Sequence, residues 1–317
     1  AGSRRSADEF AEQTYDDPVD RAGEEEGDMA APARVEDEFE PIYHHYTPHR
    51  AGLPPLVPYF RELWARREFA AEMSKATLRG ANVNTVFGQL WMVLNPLLLA
   101  GVYYLLVTII RQRHDPELFT HLTLALFAMT MVQAAASTGA TSVTGSGRLL
   151  INTAFPRLLI PLSAVRTAFW RFLPTIPVYL LFHIIFGLAW HPRMIASFYF
   201  LGTMIVFSMG LAALFATCQV YFRDTSSFLP YFLRLWMYLS PVLWLPEMLS
   251  HMSRGLRFIV ELNPMYPMLT GYAHLLQGEA IPPLWMWVAA AAWALAAVLV
   301  GFLFFISRER EFAVRLT

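Results

Sequence analysis

Six apolar stretches recur along this chain, at Leu90–Ile110, Leu118–Ala136, Leu173–Trp190, Ile195–Val220, Phe228–Trp244 and Leu284–Ile306. Each is near the roughly 20 helical residues that cross about 30 Å of hydrocarbon. In lipid, backbone N–H and C=O groups must be satisfied within the segment itself, so the pattern predicts an all-α integral membrane protein with six transmembrane helices. Composition agrees: 56% of residues are apolar and 15% charged, against about a quarter charged in soluble domains. Residues 245–283 are too apolar for an ordinary loop, yet Pro246, Gly255, Pro264, Pro267 and Gly271 interrupt them. Re-entrant half-helices are expected there, before the last span, where protein or a cavity wall satisfies the broken backbone.

Three segments follow. Residues 1–54 form an acidic tail expected to be disordered: residues 1–40 hold 14 acidic and four basic side chains and few large apolar ones, too little to offset the entropy of ordering. That composition is wrong for a secretory signal, so insertion is expected to use the internal spans. Residues 55–80 place Phe60, Leu63, Trp64, Ala71, Ser74 and Leu78 at helical spacing, with Arg61, Arg66, Glu68, Glu72 and Lys75 on other faces. This is the layout of an amphipathic helix lying in the membrane interface. Residues 81–317 form the six-span domain. With the N-terminus inside, fifteen Lys and Arg residues fall on inner segments and five on outer ones (Arg111, Arg113, Arg193, Arg254 and Arg257). The positive-inside rule then puts both termini in the cytoplasm of a multi-pass protein.

Several activities are disfavoured. The basic residues flank apolar spans and form no single patch, which argues against nucleic acid. Cys218 is the one cysteine, so no internal disulfide or multi-cysteine metal site exists. Lys75 is the one lysine and no glycine-rich loop precedes it, so the chain carries no phosphate-binding ATPase loop. His114, His121, His183 and His191 lack metal-ligand spacing. Asp115 and Glu117 lie in a short outer loop, where a membrane glycosyltransferase would need its acidic base; loop carboxylates are usually only solvated. No catalytic site is expected.

Three motifs each have a plain reading and a functional one. Ser146–Ser163 reads S-G-R-L-L-I-N-T-A-F-P-R-L-L-I-P-L-S: an ordinary inner loop, or an Arg-rimmed apolar segment that docks in a partner's groove. In V-Y-F-R-D-T-S-S, Asp224 and Ser226 suit a helix N-cap, and the adjacent Arg223 and Asp224 could pair with neighbouring loops. The aromatic residues Tyr231, Phe232, Trp236, Tyr238 and Trp244, with Tyr103 and Tyr104 on the first span, suit interfacial anchoring. They equally suit a pathway on which sugar rings slide.

Read in order, these motifs resemble the permease subunits of ABC-type polysaccharide and teichoic-acid exporters. The match runs over about residues 57–317: L-R-G and F-G-Q-L-W-M-V-L-N-P (Phe87–Pro96), F-P-R-L-L-I-P-L-S (Phe155–Ser163), V-Y-F-R-D (Val220–Asp224), S-P-V (Ser240–Val242), L-N-P (Leu262–Pro264) and F-A-V-R-L (Phe312–Leu316). The chain departs from the family where Ile151 and Asn152 replace lysines before F-P-R, and where Ala273 replaces an arginine. The resemblance implies a homodimer in the bacterial cytoplasmic membrane, served by two copies of a separate ATPase that binds ATP and Mg, with no cofactor on this chain. It further implies a polyprenyl-diphosphate-linked glycan as cargo. Arg61, Arg66, Arg67 and Arg79 would meet the pyrophosphate; Arg148, Phe155, Pro156 and Arg157 would receive the ATPase stroke; the aromatic residues would line the glycan pathway. The single lysine beside 23 arginines and the acidic tail look like the galactan exporters of arabinogalactan-walled bacteria, with a teichoic-acid precursor or O-antigen as alternative cargo. A drug- or lipid-exporting ABC permease and a polyprenol-dependent glycosyltransferase are the competing classes.

Overall fold

The computed structural model describes residues 54–81, 86–111, 116–147, 149, 155–251, 253–278 and 280–316. Every regular element among them is a helix: α1 (Leu56–Ala65), α2 (Arg67–Gly80), α3 (Trp91–Arg111), α4 (Pro116–Gly145), α5 (Leu159–Phe172), α6 (Thr175–Ile185), α7 (Ser197–Tyr221), α8 (Thr225–Leu239), α9 (Arg254–Leu262), α10 (Met265–Gln277) and α11 (Leu284–Leu316). Among the described residues, four segments are long and apolar enough to cross a membrane: Leu118–Gly145, Leu159–Ile185, Pro192–Tyr221 and Leu284–Phe312. α3 has 21 residues and contains an apolar helical stretch over Trp91–Leu105. α8, with 15 residues, reaches about 22 Å. It stops at Ser240, where the extended conformation favoured before proline prevents another turn.

The third segment begins at Leu159, well ahead of the expected Leu173. Arg166 and Arg171, read as inner-loop residues because they interrupt the apolar run, therefore lie within a helix. Ser163 and Thr167 turn their hydroxyls onto the carbonyls of Ile160 and Ser163 at 2.7 and 2.8 Å. α2 packs on this part of α5, and the Ser74 and Thr167 hydroxyls share a hydrogen bond at 3.0 Å. The expected break survives as a turn at Leu173 and Pro174, where proline supplies no backbone donor.

The amphipathic segment is two helices, hinged at Arg66 (φ −97°, ψ 16°). The hinge resets the helical phase. Tyr59, Ala70 and Ser74 are buried with Leu63 and Met73 half-buried, whereas Trp64 of the expected inward face is 68% exposed. Val57, Phe60 and Trp64 thus make an exposed apolar stripe on α1, beside exposed Arg61 and Arg66.

α4 is the central helix, with 78% of its apolar window buried against at most 44% in the other three candidate spans. α10 is buried against it and against α7. α7 and α11 approach at backbone distance: a Cβ on Gly301 would lie 2.1 Å from the Gly210 carbonyl oxygen. Small residues permit this contact, which lets dispersion hold helices together in lipid. α11 has 33 residues, about 50 Å, and so exceeds a bilayer core. Its last turns carry Arg308, Glu309, Arg310 and Glu311.

Candidate functional site

At one end of the bundle, α1, α2, the Phe155–Arg157 segment and the last turns of α11 close around a common core that includes Tyr59, Leu158, Ile160, Phe305 and Phe312. Tyr59 Oη donates to Glu309 Oε2 at 2.6 Å. Arg157 donates to the backbone carbonyl of the same glutamate. Phe155 packs on Phe69 of α2 with ring centroids 4.7 Å apart, and Phe60 stacks near Phe302. Burial, and then the Glu309 carboxylate, push the Tyr59 hydroxyl well above the ordinary tyrosine range. Pro156 is buried here as well. Beside this core, Tyr221 of V-Y-F-R-D donates to Glu311, and the guanidiniums of Arg308 and Arg315 lie 5.8 and 4.1 Å from its ring centre.

The arginines singled out from the sequence divide into two places. Arg61, Arg66 and Arg67 surround the α1–α2 hinge and are exposed. Arg66 pairs with Glu62 at 3.0 Å, and Arg67 donates to the Trp64 carbonyl with its guanidinium 5.1 Å from that ring centre. Arg79 stands twelve residues beyond Arg67 on α2, about 18 Å along the axis, and is exposed. An anion gripped by the hinge arginines would not reach it without spanning α2. Arg148, Asp115 and the acidic tail lie outside the described residues.

Asp224 precedes α8, but its side chain makes no capping bond, contrary to the sequence expectation. The turn is held from α7 by Gln219, whose Nε2 donates to the Arg223 carbonyl and the Ser226 hydroxyl at 3.1 and 3.3 Å.

The aromatic residues also divide. Phe228, Phe232 and Trp236 stack at successive turns of α8. Tyr103 of α3 lies beside Tyr238, whose carbonyl accepts from Trp244 Nε1 at 3.2 Å. Tyr231 is 72% exposed. Tyr104 turns instead toward Phe119, in a separate group with Phe182 and Phe186. Trp236 is structural at its polar end: Nε1 donates to Asn263 Oδ1 at 2.7 Å, Asn263 Nδ2 donates to Ser240 Oγ at 2.9 Å, and Ser240 Oγ donates to the Trp236 carbonyl at 2.7 Å. This closed ring joins S-P-V to L-N-P and packs α8 against the start of α10, where Asn263 Oδ1 also accepts from Met265 N.

Sequence reasoning missed Tyr59, Glu309 and Asn263 as individual residues. The available signals were a carboxylate beyond the apolar part of the last span and an asparagine between two prolines' worth of helix breaks, neither of which names its partner.

No family model matches the chain. It is similar to the O-antigen export system permease protein RfbA of Klebsiella pneumoniae, 29% identical over 198 residues, or 61% of this chain and 73% of the relative. It is also similar to the O-antigen export system permease protein RfbA of Myxococcus xanthus, 26% identical over 261 residues, or 81% of this chain and 99% of the relative.

Proposed function

We propose that this chain, which is similar to O-antigen export permeases over 61% to 81% of its length, is the membrane subunit of an ATP-driven ABC-type exporter of a polyprenyl-diphosphate-linked cell-wall polysaccharide. It works as a homodimer of six-span subunits in the bacterial cytoplasmic membrane, with both termini in the cytoplasm. Two copies of a separate ATPase hold ATP and Mg. The cargo is galactan; an O-antigen polysaccharide is the second reading, favoured by the names of the relatives.

The observation that carries this reading is the convergence of α1, α2, the F-P-R segment and the α11 end on one core. A push on Phe155–Arg157 is transmitted through Phe69 to α2 and through Glu309 to α11, because packed interiors shift as units. Arg61, Arg66 and Arg67 at the hinge grip the lipid pyrophosphate, since the guanidinium fork donates paired charge-assisted hydrogen bonds. Arg79 holds a second point along α2, and Arg148 contributes to the ATPase contact. The exposed Tyr231 and Tyr238 of α8, with the half-buried Tyr103 of α3, carry the glycan outward, while α9 and α10 form the half-helices that close the path.

The experiment is co-expression with the ATPase of the neighbouring reading frame, followed by hydrolysis assays with and without polyprenyl-diphosphate glycan. Hydrolysis that responds to the glycan, and that loses the response in the Arg61, Arg66 and Arg67 triple alanine while the complex stays assembled, is the expected result. Export at the normal rate in that variant would overturn the site assignment. The absence of any ATP-dependent complex would overturn the function.

A further inference from the structure

Two cavities meet inside the bundle. The first, about 400 Å³, lies among α3, α4 and α5 and is lined by Trp91, Asn95, Thr130 and Arg171. The second, about 340 Å³, is walled mainly by apolar side chains such as Leu124, Ile176, Leu180, Phe198, Leu201 and Leu276. Phe127, Phe172 and Thr175 belong to both linings. Together they make a site that is charged at one end and apolar at the other, with each part in the size range of small-molecule pockets.

Arg171 stands one turn beyond Thr167, the residue on which Ser74 of α2 packs, and lines the first cavity. An arginine on a helix of a membrane bundle ordinarily faces a partner or a pathway. Yet it makes no hydrogen bond or ion pair with any described residue, and no carboxylate lines the cavity. The Thr130 and Thr175 hydroxyls are spent on their own helices, on the carbonyls of Phe127 and Phe172 at 2.9 and 2.7 Å. The Arg171 guanidinium, the Asn95 amide and the Trp91 indole N–H are the unspent side-chain donors among the described lining residues. No described residue supplies the compensating anion, and the adjoining apolar chamber suits an anion with a hydrocarbon tail.

We infer that this paired cavity binds a phosphate-headed amphiphile, with its phosphate on Arg171 and Asn95 and its tail passing Phe127 and Phe172 into the chamber behind. The chemistry is shared by a bilayer phospholipid and a polyprenyl phosphate. The site is separate from the hinge arginines and requires only that the chain is embedded in a membrane, so it stands or falls independently of export.

Native mass spectrometry of the full chain in neutral detergent tests it, with phosphatidylglycerol, a polyprenyl monophosphate, diacylglycerol and glycerol phosphate as probes. At least one tailed phosphate should be retained tenfold or more above both diacylglycerol and glycerol phosphate. Preference for phosphatidylglycerol assigns the site to a bilayer lipid, and preference for the prenyl probe assigns it to a carrier lipid. Arg171→Gln should remove that excess, Arg171→Lys should keep part of it, and Leu201→Trp, which fills the chamber, should weaken the tailed probe. The Arg61, Arg66 and Arg67 triple alanine should leave retention unchanged. Equal retention of diacylglycerol and phosphatidylglycerol, a comparison that needs no variant, would overturn the proposal, as would unchanged retention in Arg171→Gln.

Discussion

Tyr59 and Glu309, 250 residues apart, are joined by a 2.6 Å hydrogen bond that ties the first helix to the end of the last. The Glu309 backbone also accepts from Arg157, so one residue of α11 anchors both the amphipathic pair and the F-P-R segment. Elements that sequence places at opposite ends of the chain thereby behave as one mechanical piece.

Removing the hydroxyl with Tyr59→Phe leaves the half-buried Glu309 carboxylate without its donor, which costs up to about 1–3 kcal/mol. Glu309→Leu alone strands the hydroxyl in the same way. The double variant should lose less than the sum of the two, because neither polar group remains unpaired. Thermal unfolding of the four proteins in one detergent measures the coupling; strict additivity would mean that the bond contributes nothing.

The same bond predicts an alkaline sensitivity. The folded Tyr59 hydroxyl is held above its unfolded value of about 10, first by burial and then by the Glu309 carboxylate. Below pH 10 both states keep the proton and its contribution is whole; above that, the unfolded state ionises first and stability falls as pH rises. The gap between wild type and Tyr59→Phe should therefore narrow between pH 9.5 and 11 in melting experiments, by up to about 1.4 kcal/mol per pH unit. A gap that stays constant would contradict the burial of this hydroxyl.

Four of the six expected apolar segments overlap helices long and apolar enough to cross a membrane, because hydropathy is summed over some twenty residues and single polar positions hardly matter. It failed at Leu159–Phe172, where Arg166 and Arg171 divided the run although local hydroxyl bonds and packing by α2 keep the helix intact. The hinge at Arg66 was invisible for the opposite reason: no glycine or proline marks it, and tertiary contact at Tyr59 sets the phase. Motif order pointed to S-P-V and L-N-P as a set, but the Ser240–Asn263–Trp236 ring is a fact of three dimensions that residue spacing cannot carry.

Asn263 should be the least replaceable residue of that ring. Asn263→Ala strands the donors of Trp236 and Met265 and removes the donor to Ser240, at about 1–3 kcal/mol for each buried group left unpaired. Asn263→Asp keeps an acceptor for the first two and loses the third. Expression level and melting temperature should therefore rank wild type, then aspartate, then alanine; an alanine variant as stable as wild type would show that water replaces the ring.

Gly301→Leu tests the closest helix contact. Its Cβ would begin 2.1 Å from the Gly210 oxygen and 2.8 Å from the carbonyl carbon, atoms of the backbone that cannot rotate away. α7 and α11 would have to separate, forfeiting dispersion contacts that no hydrophobic force restores in lipid. Loss of a monodisperse protein is expected, whereas Gly101→Leu, where a Cβ meets nothing within 4 Å, should be tolerated. Size-exclusion profiles of the two variants decide the matter.

Phe155→Ala separates transmission from stability. The ring is only half-buried and its main aromatic partner is Phe69, so its removal forfeits about 0.5–1.5 kcal/mol of pair energy together with some buried area. The fold should survive. In a complex with the ATPase, however, α2 would no longer follow movement of the F-P-R segment through this contact, so basal hydrolysis should persist while its response to the glycan falls several-fold. Phe155→Leu, which refills the space, should recover much of that response. If alanine left the response intact while lowering the melting temperature, Phe155 would be a packing residue and the route to α2 would have to run through Tyr59 and Glu309.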